Sequence, residues 1–109
     1  MPQLDEAARG TLNAAGEVTV TIGPRTPNSR WRVANIAVST DSSTDTECRL
    51  YLGPEAPANL IGATYSGNRD QLGTGLTLFP GQLLTAVWTL GDPGATATVS
   101  VYGVLDVAK

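Results

Sequence analysis

LLTAVWTLGDPGATATVSVY, residues 83–102, is the stretch whose reading decides the fold. Over residues 95–102, Ala97, Val99 and Val101 alternate with Thr96, Thr98, Ser100 and Tyr102. That is the period of two a strand shows when one face is buried and the other is not. In the preceding segment Leu84, Ala86, Trp88 and Leu90 share one face, while Leu83, Thr85, Val87 and Thr89 share the other, so both faces are partly apolar. Gly91-Asp92-Pro93-Gly94 separates the two segments: proline presets its φ, glycine accepts positive φ, and a β-hairpin is the simplest connection. Pro80-Gly81 has the order of a type II turn and joins residues 76–79 to residues 83–90. The expectation is three consecutive antiparallel strands.

Further strands are predicted at residues 17–22, with Val18, Val20 and Ile22 inward, at 31–39, at 46–52, with Cys48, Leu50 and Leu52 inward, and at 60–65. Trp31 and Val33 are out of phase with Ile36 and Val38, so one extra residue near Ala34 and Asn35 keeps all four inward and predicts a β-bulge. Residues 7–12 add a strand at an edge, and residues 4–9 also carry a weak helical propensity. The fold class is therefore all-β: a two-sheet antiparallel β-sandwich of seven or eight strands, jelly-roll-like, with other sandwich topologies open because strand order leaves little local trace. The domain reading is an N-terminal arm or edge strand over residues 1–16 and a single β-sandwich domain over residues 17–109.

A chain of 109 residues and 11.3 kDa suits one domain. Surface scaling leaves about 5,700 Å² exposed and buries roughly 65 % of what the unfolded chain shows, enough for an independent core. With 16 % charged and 41 % hydrophobic residues, the chain is neither a disordered polyelectrolyte nor a helical membrane protein. A net charge of −3 argues against nucleic acid as a partner, which requires clustered Lys and Arg. The start of the chain carries Asp5 and Glu6 where a secretory signal has basic residues and an apolar run, and no later apolar run approaches a membrane span. These features predict a soluble protein made in the cytoplasm, with no membrane partner. Cys48 is the single cysteine, so no disulfide forms within one chain. The basic residues are nearly all Arg, and Ala, Gly and Pro are frequent, a bias of GC-rich genomes.

The sequence contains no His. That removes the commonest general base, a usual zinc ligand and the Ser-His or Cys-His nucleophile pair. Asp70 and Asp92 are the remaining candidates for a carboxylate pair, yet they fall in separate loops and read as solvated turn residues. Asp41, Ser43, Asp45 and Glu47 alternate oxygens faintly like a calcium loop, but lack the central Gly and the bidentate Glu and read as a polar connection. Gly73-Thr74-Gly75 is a flexible strand entry, since neither the Lys nor the helix of a phosphate loop follows. Cys48 alternates with Leu50 and Leu52 and reads as an inert small hydrophobe. Arg25, Arg30 and Arg32 read as ion pairs at a rim. The chain is accordingly read as a non-enzyme with no catalytic residue, no metal and no cofactor.

Trp31, Trp88, Tyr51, Tyr102, Leu83 and Val87 are left as candidate interface or packing anchors. The two-sided apolar character of residues 83–90 and the Thr-rich, charge-poor strands favour self-association, with a trimer as the preferred homo-oligomer. An alternative reading sets Trp31, Trp88, Tyr51 and Tyr65 on a β scaffold as a carbohydrate-binding adhesion module.

Gly23-Pro24, Trp31-Arg32-Val33, Tyr51-Leu52-Gly53, Thr64-Tyr65-Ser66-Gly67-Asn68, Leu78-Phe79-Pro80-Gly81-Gln82, Gly91-Asp92-Pro93-Gly94-Ala95 and Val101-Tyr102-Gly103 span most of the chain. Together they resemble small virion proteins of tailed phages infecting actinobacteria. These motifs are turn and strand signatures without catalytic content. The resemblance implies a virion component: a capsid decoration protein bound to the outer surface through symmetric contacts with the major capsid protein, or a minor neck or tail protein. It carries no functional residue with it.

Overall fold

The computed structural model describes residues 3–24, 29–63 and 69–107. Its strands are β1 (Gln3–Thr11), β2 (Val18–Ile22), β3 (Ser29–Thr40), β4 (Glu47–Leu52), β5 (Leu60–Ala63), β6 (Arg69–Leu78), β7 (Leu84–Thr89) and β8 (Thr96–Val107), with a 3-10 turn at Pro57–Asn59. They form two four-stranded sheets of order β1-β8-β3-β6 and β2-β7-β4-β5, and all described pairings are antiparallel. The exposed area is 6053 Å², close to the value scaling predicts for this mass.

The pairings follow one pattern. β4 pairs with β5, β3 with β6, β2 with β7 and β1 with β8, so the chain is one long hairpin whose successive rungs lie in alternate sheets. The β3·β8 and β4·β7 pairings then close this ribbon on itself. Two four-stranded sheets in this order make an antiparallel β-sandwich of the jelly-roll kind.

Period-two patterning places the core where the sequence put it. Leu84, Ala86 and Trp88 of β7, Cys48 and Leu50 of β4, and Ala97, Val99 and Val101 of β8 are fully buried between the sheets. Trp31, Val33, Ile36 and Val38 of β3 are all buried as well, and the register shifts between Val33 and Asn35. Opposite β8, Val33 pairs with Gly103 and Asn35 with Tyr102, so Ala34 is the inserted residue. The two strands approach closely there: a Cβ on Gly103 would stand 1.9 Å from the Arg32 carbonyl oxygen, which only glycine avoids.

Three expectations are corrected. The Gly91-Asp92-Pro93-Gly94 connection is not a hairpin, because β7 and β8 lie in different sheets; β6 and β7 likewise lie in different sheets, so the three strands are not consecutive neighbours. The turn chemistry itself holds. Gln82 N donates to Phe79 O at 3.0 Å with Gly81 at φ 87°, and Ala95 N donates to Asp92 O at 3.1 Å with Gly94 at φ 87°. These turns reverse the chain direction and lift it across the sandwich. Secondly, Gly73-Thr74-Gly75 is inside β6, where that strand crosses the bulge of β3, rather than at a strand entry. Thirdly, residues 4–9 are extended, within an edge strand paired residue for residue with β8; Leu4 and the following Leu12 are buried and pin both ends of it.

Trp88 is the largest side chain with no exposure. Trp88→Ala is expected to cost about 3–5 kcal/mol, the range for emptying a core aromatic site. A urea titration followed by far-UV circular dichroism measures it, and a loss below about 1 kcal/mol would contradict a core built around this residue.

Candidate interaction surfaces

In an antiparallel pair, residues directly opposite one another share a face. The outer face of the β2-β7-β4-β5 sheet is therefore made of rows: Thr21, Thr85, Tyr51 and Leu60 in one, Thr19, Val87 and Arg49 in the next, Thr89 and Glu47 in a third. The outer face of the other sheet carries Asp5, Tyr102 and Asn35, then Ala7, Ser100, Ala37 and Gln71, then Arg9, Thr98 and Ser39. The second face continues into Gln3, Val104, Arg32 and Thr77, so it carries Asp5, Arg9 and Arg32 among small and hydroxyl side chains, while the first is short in charge. Glu47 and Arg49 neutralise one another at 2.7 Å on the first face, and Asn35 Nδ2 donates to Gln71 Oε1 at 3.4 Å on the second.

The connections gather at two poles. At one pole, residues 12–17, 41–46 and 90–95 are joined by backbone bonds: Gly94 N to Leu12 O at 2.9 Å, Gly91 N to Gly16 O at 3.0 Å and Asp41 N to Thr96 O at 3.2 Å. Asp92 is the hub of side-chain bonding there. Its Oδ2 accepts from Ser43 N at 2.8 Å and from Ser43 Oγ, Thr44 Oγ1 stands 3.1 Å from its Oδ1, and its own N donates to Ser42 Oγ at 3.0 Å. The donation from Ser43, side chain and backbone, holds the Asp92 carboxyl below its usual range.

Leu90 follows β7 at this pole and departs from the expected pattern. The alternation places it inward with Trp88, yet it is 69 % exposed with φ 68°. Among the described residues it is the one non-glycine at positive φ, a conformation costing a bulky residue about 1–2 kcal/mol. The next residue explains the turn. A Cβ on Gly91 would stand 2.1 Å from Leu12 Cδ2 and 2.9 Å from Thr46 Cγ2, so the backbone itself packs inward at 91 and Leu90 is turned out. Thr44 Oγ1, 3.3 Å from the Leu90 carbonyl oxygen, holds it there.

At the opposite pole the β4–β5 and β6–β7 connections lie side by side. Gly53 N donates to Leu83 O at 2.8 Å, Thr85 Oγ1 to Gly53 O at 2.7 Å, and Gly81 N to Pro24 O at 3.1 Å. Between them opens a cleft of about 480 Å³ lined by Leu52, Pro54, Gly81, Leu83, Thr21 and Thr85, with Gly53 and Gln82 completing it. No lining residue is charged.

The six anchor candidates separate into three groups. Trp31, Trp88 and Tyr51 are buried and serve packing, Tyr51 although it sits on an outer face. This removes the surface aromatics on which the carbohydrate-binding alternative was built; its fourth, Tyr65, lies outside the described residues. Tyr102 is 37 % exposed on one outer face and Val87 half-buried on the other, while Leu83 is a wall of the cleft. Sequence reading missed Leu90, Phe79, Leu60 and Ile61 as exposed large hydrophobics. Leu60 and Ile61 carried a signal, since a four-residue strand at a sheet margin cannot bury both of its faces.

The polar candidates are dispersed. Asp92 meets hydroxyls rather than a second acid; Asp70 lies in strand β6, paired with Val38, and not in a loop, and its side chain is outside the described ones. The alternating oxygens of residues 41–47 serve separate partners: Asp41 Oδ1 accepts from Thr96 N at 2.7 Å, Ser43 bonds Asp92, and Glu47 bonds Arg49. Among the described residues no three His, Cys, Asp or Glu side chains converge as a metal site. Burial pushes the Cys48 thiol up to about 12, which keeps it protonated and unreactive at neutral pH. Arg30 and Arg32 lie at the start of β3, Arg30 half-buried, and Arg25 falls outside the described residues.

No family model and no curated protein matches the chain. A solved structure is similar in fold: Aeromonas hydrophila PliG, a periplasmic lysozyme inhibitor of g-type lysozyme, at 11 % identity over 92 % of this chain and 87 % of that chain, with a TM-score of 0.54.

Because the folded state lowers the Asp92 carboxyl, its contribution is complete above the unfolded value of about 3.9 and is lost as pH falls through the lower folded one. Urea midpoints taken between pH 6 and about pH 2 should fall more steeply for the wild type than for Asp92→Asn. Parallel curves for the two proteins would show that the Ser43–Asp92 bonding contributes nothing.

Proposed function

We propose that this chain is a structural protein of a phage virion, and that it acts as a capsid decoration protein attached to the outer shell by symmetric protein contacts, with a minor tail or neck position as the other placement. The observation that supports the proposal is the pairing of a jelly-roll sandwich with an outer face, on the β2-β7-β4-β5 sheet, made mostly of threonine and apolar residues, its Glu47 and Arg49 paired with each other. Such a face, among its described residues, presents no unpaired charge to desolvate when another protein covers it, so it suits broad, shape-determined contact. Jelly rolls occur as viral capsid and lectin domains. The fold alone assigns neither role, and the burial of Trp31, Trp88 and Tyr51 weighs against the lectin-like one.

The chemistry of the chain fits a part that binds and does not turn over substrate. The sequence has no His, and its one thiol is buried. The acid with the most side-chain contacts at the loop pole, Asp92, ties two connections together. A self-associating module is the natural form for such a part, because particle surfaces repeat their sites around symmetry axes.

Particles of the phage that encodes this chain, purified by density gradient and quantified by mass spectrometry, are expected to contain it at a fixed multiple of the major capsid or tail subunit. Infectious particles lacking it entirely would overturn the proposal.

A further inference from the structure

We infer that two copies of this protein pair edge to edge through β1, the strand of one antiparallel to that of the other with Ala7 opposite Ala7, so that their β1-β8-β3-β6 sheets join into one sheet of eight strands. The inference goes beyond the virion role: the pairing is read on purified protein and the virion reading on particles, so either can fail without the other.

β1 is a margin of its sheet. Over Gln3–Thr11 it pairs residue for residue with β8, without a register shift, and on its other side it has no strand partner among the described residues. The N–H and C=O groups of alternate residues therefore point away from β8, as a template for another strand. Edge strands are commonly protected by shortness, proline or a bulge. β1 has nine residues, no proline and no irregularity, and buried Leu4 together with Leu12 just beyond its end holds it in place. Its remaining protection is charge, carried by Asp5, Glu6 and Arg9.

The placement of that charge selects the occupant. Asp5 and Arg9 are both exposed, share the outer face and flank Ala7, the midpoint of the strand, at equal spacing. With Ala7 opposite Ala7 the two β1 strands overlap along their whole length: Gln3 meets Thr11, Leu4 meets Gly10, Asp5 meets Arg9 and Glu6 meets Ala8. Symmetry repeats the Asp5–Arg9 pair on the other side of the axis, and no like charges stand directly opposite. A slip of two residues in one direction sets Glu6 against Glu6, and in the other it leaves Asp5 opposite Thr11 and Arg9 opposite Ala7, so full overlap and charge matching choose the same register. Exposed ion pairs contribute little stability, and the outward backbone groups would accept any extended segment; the charges supply the selectivity, and the strand that matches them is a second β1. Such a contact uses one patch on both copies and closes at a dimer, in place of the trimer expected from the sequence.

The test reverses the charges at exposed positions that leave the core intact. Sedimentation velocity over a concentration series is expected to show the wild type passing from 11.3 kDa to twice that mass and no further. Asp5→Arg and Arg9→Asp should each weaken the dimer about tenfold or more, since like charges then face each other on both sides of the axis. Mixing the two variants is the decisive arm: two arginines of one copy meet two aspartates of the other, and heterodimers should form about as tightly as the wild type does. Ala7→Cys locates the axis. Directly opposed residues of antiparallel strands are within disulfide reach, and Cys48 is buried, so mild oxidation should link Ala7→Cys into dimers about tenfold faster than Thr19→Cys, whose site is exposed on the other sheet. A wild type that stays monomeric or forms trimers, a single reversal that dimerises as the wild type does, a mixture no tighter than either variant alone, or Ala7→Cys linking no faster than Thr19→Cys each overturns the inference.

Discussion

The burial of one face of each sheet against the other is the constraint on which the structure depends. Side chains on successive strand residues point to opposite sides, so each strand can offer only alternate positions to the core. Leu84, Ala86 and Trp88 on β7 and Ala97, Val99 and Val101 on β8 meet this condition without exception, and all six are fully buried. They come from adjacent stretches of chain yet lie in opposite sheets, so the two best-patterned strands face each other across the core instead of pairing edge to edge.

That choice determines the poles. Because β6 to β7 and β7 to β8 each cross the sandwich, the connections are arches between layers and must be held by contacts with one another. Asp92 and the Ser42, Ser43 and Thr44 hydroxyls do this at one end, and Gly53, Leu83 and Thr85 at the other. The same arches create the exposed Leu90 and the cleft. Packing Gly91 beneath Leu12 turns Leu90 outward, and bringing the β4–β5 connection beside the β6–β7 connection leaves an apolar cleft. The exposed Leu90 and the cleft thus arise as by-products of closing the roll.

A protein made this way is suited to be a repeating part. Among the described residues the thiol is buried, and Asp41 and Asp92 are engaged in holding loops. Its surface features are the exposed Leu90, the apolar cleft and a charge-poor face on the β2-β7-β4-β5 sheet, which suit the proposed role in a virion, where contact geometry is repeated by symmetry. The likeness to a lysozyme inhibitor at 11 % identity shows how freely this sandwich is used by dissimilar sequences.

Most of the strands, most of their inward residues and the bulge at Ala34 were legible in the sequence, because each depends on spacing among neighbours a few residues apart; β6 was read only from residue 76, its glycines interrupting the alternation. So were the Pro-Gly turns, whose φ requirements are local. Strand order was not legible. Gly91-Asp92-Pro93-Gly94 reverses the chain equally well within a sheet or between sheets, and the choice between them is made by β3 and β1 claiming both edges of β8, and β2 and β4 both edges of β7. The candidate site was hidden for the same reason: Leu90 continues the apolar alternation of β7 and looks like core until the fold places Gly91 under Leu12, and the cleft joins residues from three separate parts of the chain. By itself the sequence determined an all-β sandwich with no histidine chemistry, since those follow from composition and period. Only the tertiary structure decided the jelly-roll order, the burial of both tryptophans and the exposure of Leu90, since each depends on which distant strands compete for the same hydrogen bonds and the same core volume.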